Sequence, residues 1–537
     1  MKTTKDRALI ALIVISLLVA VIAVIIGTQQ SKGKDADATP TITLTSTATA
    51  SDLTGDGKVV KIVADMPKAP AGLEKFYDQD VTWEACGSNT CAYFKVPLDY
   101  TKPDGEEIQV FAEKRAAGNG KPIGTLFLNP GGPGGSGAEF LASAETTFSQ
   151  DILDNFDLIG FDPRGVGKST AVDCIDDAEL GILLDKTYPT SDAGLEESKQ
   201  DIIKLGEGCR AKTGNLIDFV GTESAARDMD VMRQVVGDPK LYYVGYSYGT
   251  MLGGMYADLF PHNVGRLILD GAVDTAITST EQTYEQIMGF EQATDAYLTD
   301  CLTKDSCPFK GKTVAEARAQ LKAKFVDIEK NPVPTANPNR PLTQSSMFTG
   351  FIVPLYDDTA WNYLSTALTE LFEKNDGSTL QFFADLNNSR DMDGTFSSNM
   401  VEANWAINCA DLTVVGDMDD WKAAAEKLAK DAPLFGDMMG YGEQFCKNWP
   451  YQPGKDAGPF VAKGSEPIVV VGTTGDPATP YKWSQEFEKD LDNAVLVTWE
   501  GEGHTAYGRS TNCISDPLDE YLLNGTVPED GLTCPAK

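Results

Sequence analysis

Leu241-Tyr242-Tyr243-Val244-Gly245-Tyr246-Ser247-Tyr248-Gly249-Thr250 is the stretch from which the rest of the chain can be read. The apolar run Leu241 to Val244 leads directly into a Gly-x-Ser-x-Gly sequence. Thr250 to Phe260 then carries Met251, Leu252, Met255 and Leu259 at helical spacing until Pro261 stops it. Strand, sharp turn and helix are expected in that order, with Ser247 at a strained elbow whose flanking glycines let the two backbones approach. Lacking the strand before and the helix after, the pentapeptide would read as an ordinary Gly/Ser turn.

A serine hydroxyl is a weak nucleophile at neutral pH and needs a general base, and the chain has two histidines. His262, in Pro261-His262-Asn263, falls at the far end of the elbow helix, where it is expected to cap a turn. His504, in Gly501-Glu502-Gly503-His504-Thr505, follows the apolar run Ala494 to Val497, so a glycine-rich loop presents it at a strand end as the expected base. The third member is a carboxylate that orients the imidazole, in the chain order Ser, acid, His. Asp476 fits: it follows Ile468-Val469-Val470-Val471 within Gly475-Asp476-Pro477-Ala478-Thr479-Pro480. Asp270, after Leu267-Ile268-Leu269, is the rival, its plain reading being a turn carboxylate before Gly271. Donors for an oxyanion are expected from the loop Asn129 to Gly137, with the Gly132 and Tyr248 N–H groups as the pair. Asp162 to Ser169 contains phosphate-loop pieces, but Gly165 and Gly167 are too close together for that pattern, and bracing of a neighbouring loop is the expected role.

Taken in order, these segments resemble the secreted bacterial tripeptidyl aminopeptidases, relatives of the prolyl aminopeptidases within the α/β-hydrolase superfamily. The resemblance runs from about Tyr77 to Cys534. It includes Trp83 to Cys91, Val96-Pro97-Leu98-Asp99-Tyr100, the Gly-Gly-Pro-Gly loop, Asp162 to Ser169, the Gly-Tyr-Ser-Tyr-Gly-Thr elbow, Leu269-Asp270-Gly271, Gly475 to Pro480, His504, and Cys513 to Cys534. It implies an α/β-hydrolase fold with a mostly parallel sheet and an inserted helical cap. The implied activity is a cofactor-free, metal-free serine peptidase acting on peptides with free N-termini. Pro130 stands where prolyl aminopeptidases usually carry His before Gly-Gly-Pro-Gly, which favours the tripeptidyl branch. A carboxylic-ester hydrolase with the same triad, a prolyl aminopeptidase and a catalytically silent surface-binding protein are the other readings.

The surplus over a hydrolase core falls between Asp274 and Pro467. The expected organisation is a cytoplasmic N-terminus (1–7), a transmembrane signal-anchor (8–27), a Thr/Ser/Ala-rich linker (28–58), a first core part (59–275), a helical cap (276–459) and a final core part (460–537). The anchor rests on the uncharged apolar stretch Ala8 to Gly27 behind Lys2, Lys5 and Arg7, and it puts the remaining chain outside the cell, with secretion as the alternative. Within the cap, Val314, Ala317, Leu321, Phe325 and Ile328 share one helical face, as do Trp361, Leu364, Leu368 and Leu371; both stripes read as cap core. Glu402 and Asp411, flanking Trp405 to Cys409, are the candidate partners for a substrate α-ammonium. Asp391-Met392-Asp393-Gly394 lacks the remaining ligands of a calcium loop.

The ten cysteines are an even set without metal-site spacing, as expected of disulfides in an exported chain. Nearest-neighbour pairing is expected: Cys86 with Cys91, Cys174 with Cys209, Cys301 with Cys307, Cys409 with Cys446, and Cys513 with Cys534. The net charge of −34 argues against nucleic acid as a partner and suits solubility outside the cell.

Overall fold

Apolar runs without polar alternation belong to strands covered on both faces. The computed structural model, which describes residues 65–451 and 458–537, places ten strands in one sheet. They are β1 (Glu84–Cys86), β2 (Asn89–Pro97), β3 (Glu107–Arg115), β4 (Thr125–Asn129), β5 (Asp157–Asp162), β6 (Leu241–Tyr246), β7 (Val264–Asp270), β8 (Ile468–Gly475), β9 (Ala494–Glu502) and β10 (Leu532–Cys534). Every residue of β4, β6 and β7 is buried. The order across the sheet is β1-β2-β3-β5-β4-β6-β7-β8-β9-β10. Pairing is antiparallel from β1 through β3 to β5 and parallel from β5 to β10. The segments read as cytoplasmic end, anchor and linker lie outside the described residues. Among the described residues, no helix is long and apolar enough to cross a membrane.

Alternate strand residues feed two cores. Phe127, Tyr243, Leu267, Leu269 and Val470 pack on one face with α1 (Thr222–Val235) and with α2 (Tyr248–Leu259), the helix that follows the elbow. Leu126, Val244, Ile268, Val469 and Val497 pack on the other with the C-terminal helix Asn512–Asn524. Between β7 and β8 the chain builds a third core from helices that include α3 (Ser279–Cys301), α4 (Val314–Lys330) and α5 (Trp361–Lys374). α3 and α4 start at capping boxes, Thr278 with Glu281 and Thr313 with Glu316, which satisfy otherwise orphaned first-turn amides. The α4 residues Ala317, Leu321, Phe325 and Ile328 and the α5 residues Trp361, Leu364, Leu368 and Leu371 all enter that third core.

Part of the insertion behaves differently. α6 (Met400–Asp411) sends Ala403, Ala406, Ile407 and Cys409 into the sheet-face core of α1 and α2 rather than into the third core. The ten cysteines form five disulfides, Cys86–Cys91, Cys174–Cys209, Cys301–Cys307, Cys409–Cys446 and Cys513–Cys534.

Candidate active site

Ser247 sits between β6 and α2 with φ 57° and ψ −125°, a backbone region that side chains rarely adopt and that only over-determined surroundings maintain. The glycines on either side are required by space. A Cβ on Gly245 would lie 2.4 Å from the Gly249 carbonyl oxygen, and one on Gly249 would lie 2.9 Å from the Asn129 carbonyl oxygen. The Ser247 N–H donates to the Asp270 carbonyl at 2.8 Å, which ties the elbow to the end of β7.

His504 reaches the same strand end. Its Cε1 lies 3.2 Å from where a Cβ on Gly271 would be. Its Nδ1 is 2.9 Å from both oxygens of Asp476, so the ring points its other nitrogen away from the acid. The buried Asp476 carboxylate also accepts from the Ala478 and Thr479 N–H groups at 2.9 and 2.8 Å, from the Thr479 hydroxyl at 3.1 Å and from the Thr505 N–H at 3.2 Å. With donors on both oxygens, the carboxylate is held in one orientation towards the ring. Thr505 itself has φ 67°, an outlier for a β-branched residue.

Asp270, the rival acid, has a different job. Its carboxylate is fully buried and accepts from the Ala506 N–H at 2.9 Å and the Tyr507 N–H at 2.7 Å, so it grips the loop just after His504. Burial pushes this carboxyl up to about 7. The insertion grips the loop from the other side: the His504 N–H donates to the Tyr356 carbonyl at 2.8 Å, and the Tyr356 ring meets the imidazole edge-on at 5.2 Å. Arg509 closes this clamp, donating to the Thr505 and Glu502 carbonyls at 3.0 Å each and to Asp357 Oδ1 at 3.2 Å. The sequence reading did not find Tyr356, Asp357 or Arg509. The contact joins segments about 150 residues apart, and no local pattern announces it. His262 lies in a short turn, Pro261–Asn263, beyond the far end of α2.

The loop after β4 lies against the elbow. Gly131 donates its N–H to Asn129 Oδ1 at 2.9 Å, and a Cβ there would lie 2.9 Å from Ser247 Cβ and 3.2 Å from the Tyr248 nitrogen. Tyr248 opens α2, so its amide belongs to the first turn, whose N–H groups lack intrahelical acceptors. Gly132, with φ 111°, follows in a conformation that favours glycine. The Asp162 to Ser169 loop braces this region, with Asp162 accepting from the Ser136 hydroxyl and from the Lys168 N–H.

Glu402 and Asp411, the expected partners of an α-ammonium, both hold parts of the protein itself. Glu402 Oε1 accepts from the Cys174 and Ile175 N–H groups at 3.2 and 3.0 Å, holding the segment beside the Cys174–Cys209 disulfide. Asp411 is 7 % exposed and has both oxygens occupied, Oδ1 by the Thr222 N–H at 2.8 Å and Oδ2 by the Thr222 hydroxyl at 2.6 Å. Burial lifts each to about 7. Asp411 has both oxygens committed to Thr222 in a buried seam, whereas Glu402 uses Oε1 for both of its amides.

Comparison with known proteins bears on the chemistry. A family model described as TAP-like protein matches residues 432–534, the part that carries Asp476 and His504. The chain is 35% identical over 482 residues to the serine protease Hip1 of Mycobacterium tuberculosis, covering 85% of this chain and 91% of that protein. It is 36% identical over 451 residues to carboxylesterase B of the same organism, covering 83% and 86%. With the tripeptidyl aminopeptidase of Streptomyces coelicolor it shares 29% identity over 474 residues, covering 84% and 86%.

Proposed function

Because this chain belongs to the TAP-like family of serine hydrolases with the α/β-hydrolase fold, we propose that it is an exported serine peptidase releasing tripeptides from free N-termini. The observation that carries the reading is the convergence of the Ser247 elbow and the Asp476–His504 pair on the end of β7. Ser247 attacks the scissile carbonyl while His504 Nε2 takes its proton. Asp476 holds the Nδ1 proton and stabilises the imidazolium that forms. The Gly132 and Tyr248 N–H groups receive the oxyanion, and His504 returns the proton to the leaving amine before water repeats the sequence on the acyl-enzyme. These steps need no cofactor.

The tripeptide register is supported by the likeness to the Streptomyces enzyme. An extended tripeptide spans about 10 Å, so such an enzyme holds the α-ammonium about that far from Ser247. Five disulfides support a location outside the cytoplasm. The Ala8–Gly27 stretch supports retention at the membrane; recovery of a shortened chain in the soluble medium would replace the anchor with a cleaved signal.

The test is a peptide library with free and N-acetylated N-termini, read by mass spectrometry. Tripeptide release from the free peptides alone is the expected result, and release of single residues would overturn the register. The likeness to carboxylesterase B favours a second reading, an ester hydrolase. Equal rates on free and acetylated peptides, with faster turnover of simple esters, would establish it.

A further inference from the structure

We propose that α6 of the insertion sets the oxyanion hole, with Asn404 and Asp411 as positioning residues for its two halves. The proposal rests on the assignment of Gly132 and Tyr248 above and adds what holds them in place.

The first arm reaches the Gly-Gly-Pro-Gly loop. The helix lies directly on that loop: a Cβ on Gly134 would fall 2.6 Å from the Met400 carbonyl oxygen and 3.0 Å from the Asn404 nitrogen. Asn404 Nδ2 donates to the Pro133 carbonyl at 3.0 Å, one residue beyond Gly132. Asn408 Nδ2 donates in turn to Asn404 Oδ1 at 3.1 Å, so the orientation of the Asn404 amide is itself fixed from within the helix. The second arm reaches the elbow. Asp411 accepts both the N–H and the O–H of Thr222, and the Thr222 hydroxyl oxygen is hydrogen-bonded to the Tyr248 hydroxyl. Above about pH 7, where Asp411 is ionised, its carboxylate can only accept, and Thr222 has one proton to give, so the phenol is the donor at the other end. The chain of donation runs from Tyr248 through Thr222 to Asp411. Thr222, Tyr248 and Asp411 are all buried, so no solvent competes for these bonds.

The two arms have a common consequence. Tyr248 contributes its main-chain N–H to the oxyanion, and that N–H is aimed by a residue whose side chain is tethered at its far end. Pro133 is tethered one peptide from the other donor. Both tethers start on one helix, and the Cys409–Cys446 disulfide lies between their origins. Donors act on the transition state only when they sit at the position of the developing oxyanion, and an error near 1 Å costs about 10²-fold.

The experiment compares full-length native enzyme with Thr222→Val, Thr222→Ser and Asn404→Ala, using an N-acetylated p-nitrophenyl ester and a free-amine peptide. Near-UV circular dichroism checks that each variant is folded. Thr222→Val is isosteric and lacks the hydroxyl, and it should lower kcat about 10- to 100-fold on both substrates with KM within about twofold. Thr222→Ser restores the hydroxyl and should recover most of that loss. Asn404→Ala, on the independent arm, should lower kcat in the same way. Native kcat in Thr222→Val and Asn404→Ala would overturn the proposal. So would a loss confined to KM for the free-amine peptide, which would return Asp411 to amine binding. Failure of the hydrolase reading would be separately visible, as native protein whose Ser247 does not react with a fluorophosphonate.

Discussion

Replacing Asp476 with asparagine separates two acids that end neighbouring strands. The oxygen of the new carboxamide can keep the Ala478 and Thr479 N–H groups, which lie 2.9 and 2.8 Å from Asp476 Oδ1, and so preserve the turn. Its NH₂ then occupies the place of Oδ2, facing the Thr505 N–H at 3.2 Å and His504 Nδ1 at 2.9 Å. One donor now opposes another at Thr505, which costs about 1–3 kcal/mol of stability. At His504 the NH₂ faces Nδ1 beside the retained oxygen, which is also 2.9 Å away, so the imidazolium loses the charge that stabilises it and the Nδ1–H tautomer is no longer the only one held. With that charge gone and part of the population in the wrong tautomer, kcat falls about 10³- to 10⁴-fold, or about 4 to 5.5 kcal/mol. Asp270→Asn keeps an oxygen for the Ala506 and Tyr507 amides and leaves the His504 tautomer alone, so its loss of kcat stays within about tenfold. Stopped-flow and steady-state kinetics on one ester substrate, with the rate of fluorophosphonate labelling at Ser247, measure both variants. If Asp476→Asn retains kcat within about tenfold of native, or Asp270→Asn loses more than Asp476→Asn, the assignment of the orienting acid is refuted.

Ser247→Ala should lose about 10⁴- to 10⁶-fold in turnover and all fluorophosphonate labelling, whereas Ser247→Gly, equally inactive, should unfold at a higher temperature because φ 57° costs glycine little. Burial raises Asp270, Asp411 and Glu402 to about 7, so between about pH 4 and 7 the folded chain keeps protons that the unfolded chain has lost, and stability falls as pH rises through that window. Thermal melts should therefore give a higher Tm at about pH 5 than at about pH 7.5, with a smaller difference in Asp411→Asn; an unchanged difference would contradict the raised Asp411. Arg509→Met should destabilise the fold by about 3 kcal/mol in urea, because it leaves the buried Asp357 with the Thr359 N–H but without its Arg509 counter-charge, and Asp357→Leu in the same chain should recover part of the loss.

The elbow and the strand ends were legible because their evidence is local. Gly245, Ser247 and Gly249 occupy five consecutive residues between an apolar run and a helical stripe, and the meeting of Asp476 with His504 follows from two adjacent strands ending side by side. The α4 and α5 stripes were legible for the same reason, since helical periodicity is a property of the segment itself. The bonds that Glu402 and Asp411 make within the protein were not legible, because a carboxylate's task is set by its partner. Those partners, Cys174 and Thr222, are 228 and 189 residues away and carry no mark of the contact. The grip of Asp270 on the Ala506 amide spans 236 residues and was equally invisible. A buried acid that organises backbone amides looks, in sequence, like any other acid among 79.

The position of the insertion between β7 and β8 has a consequence for how the protein is made. Ser247 is synthesised about 250 residues before His504, an interval of roughly 10–50 s at about 5–20 residues per second. During that time the elbow can form against β4 and β7, but the strands that carry Asp476 and His504 do not yet exist. Under the proposed mechanism a nascent chain therefore displays Ser247 without its base, and a ribosome that stops anywhere before residue 504 releases a polypeptide with an unarmed serine. Hydrolysis by the proposed mechanism can begin only when β8 and β9 add to the edge of β7, so the last steps of synthesis arm the serine made in the first half.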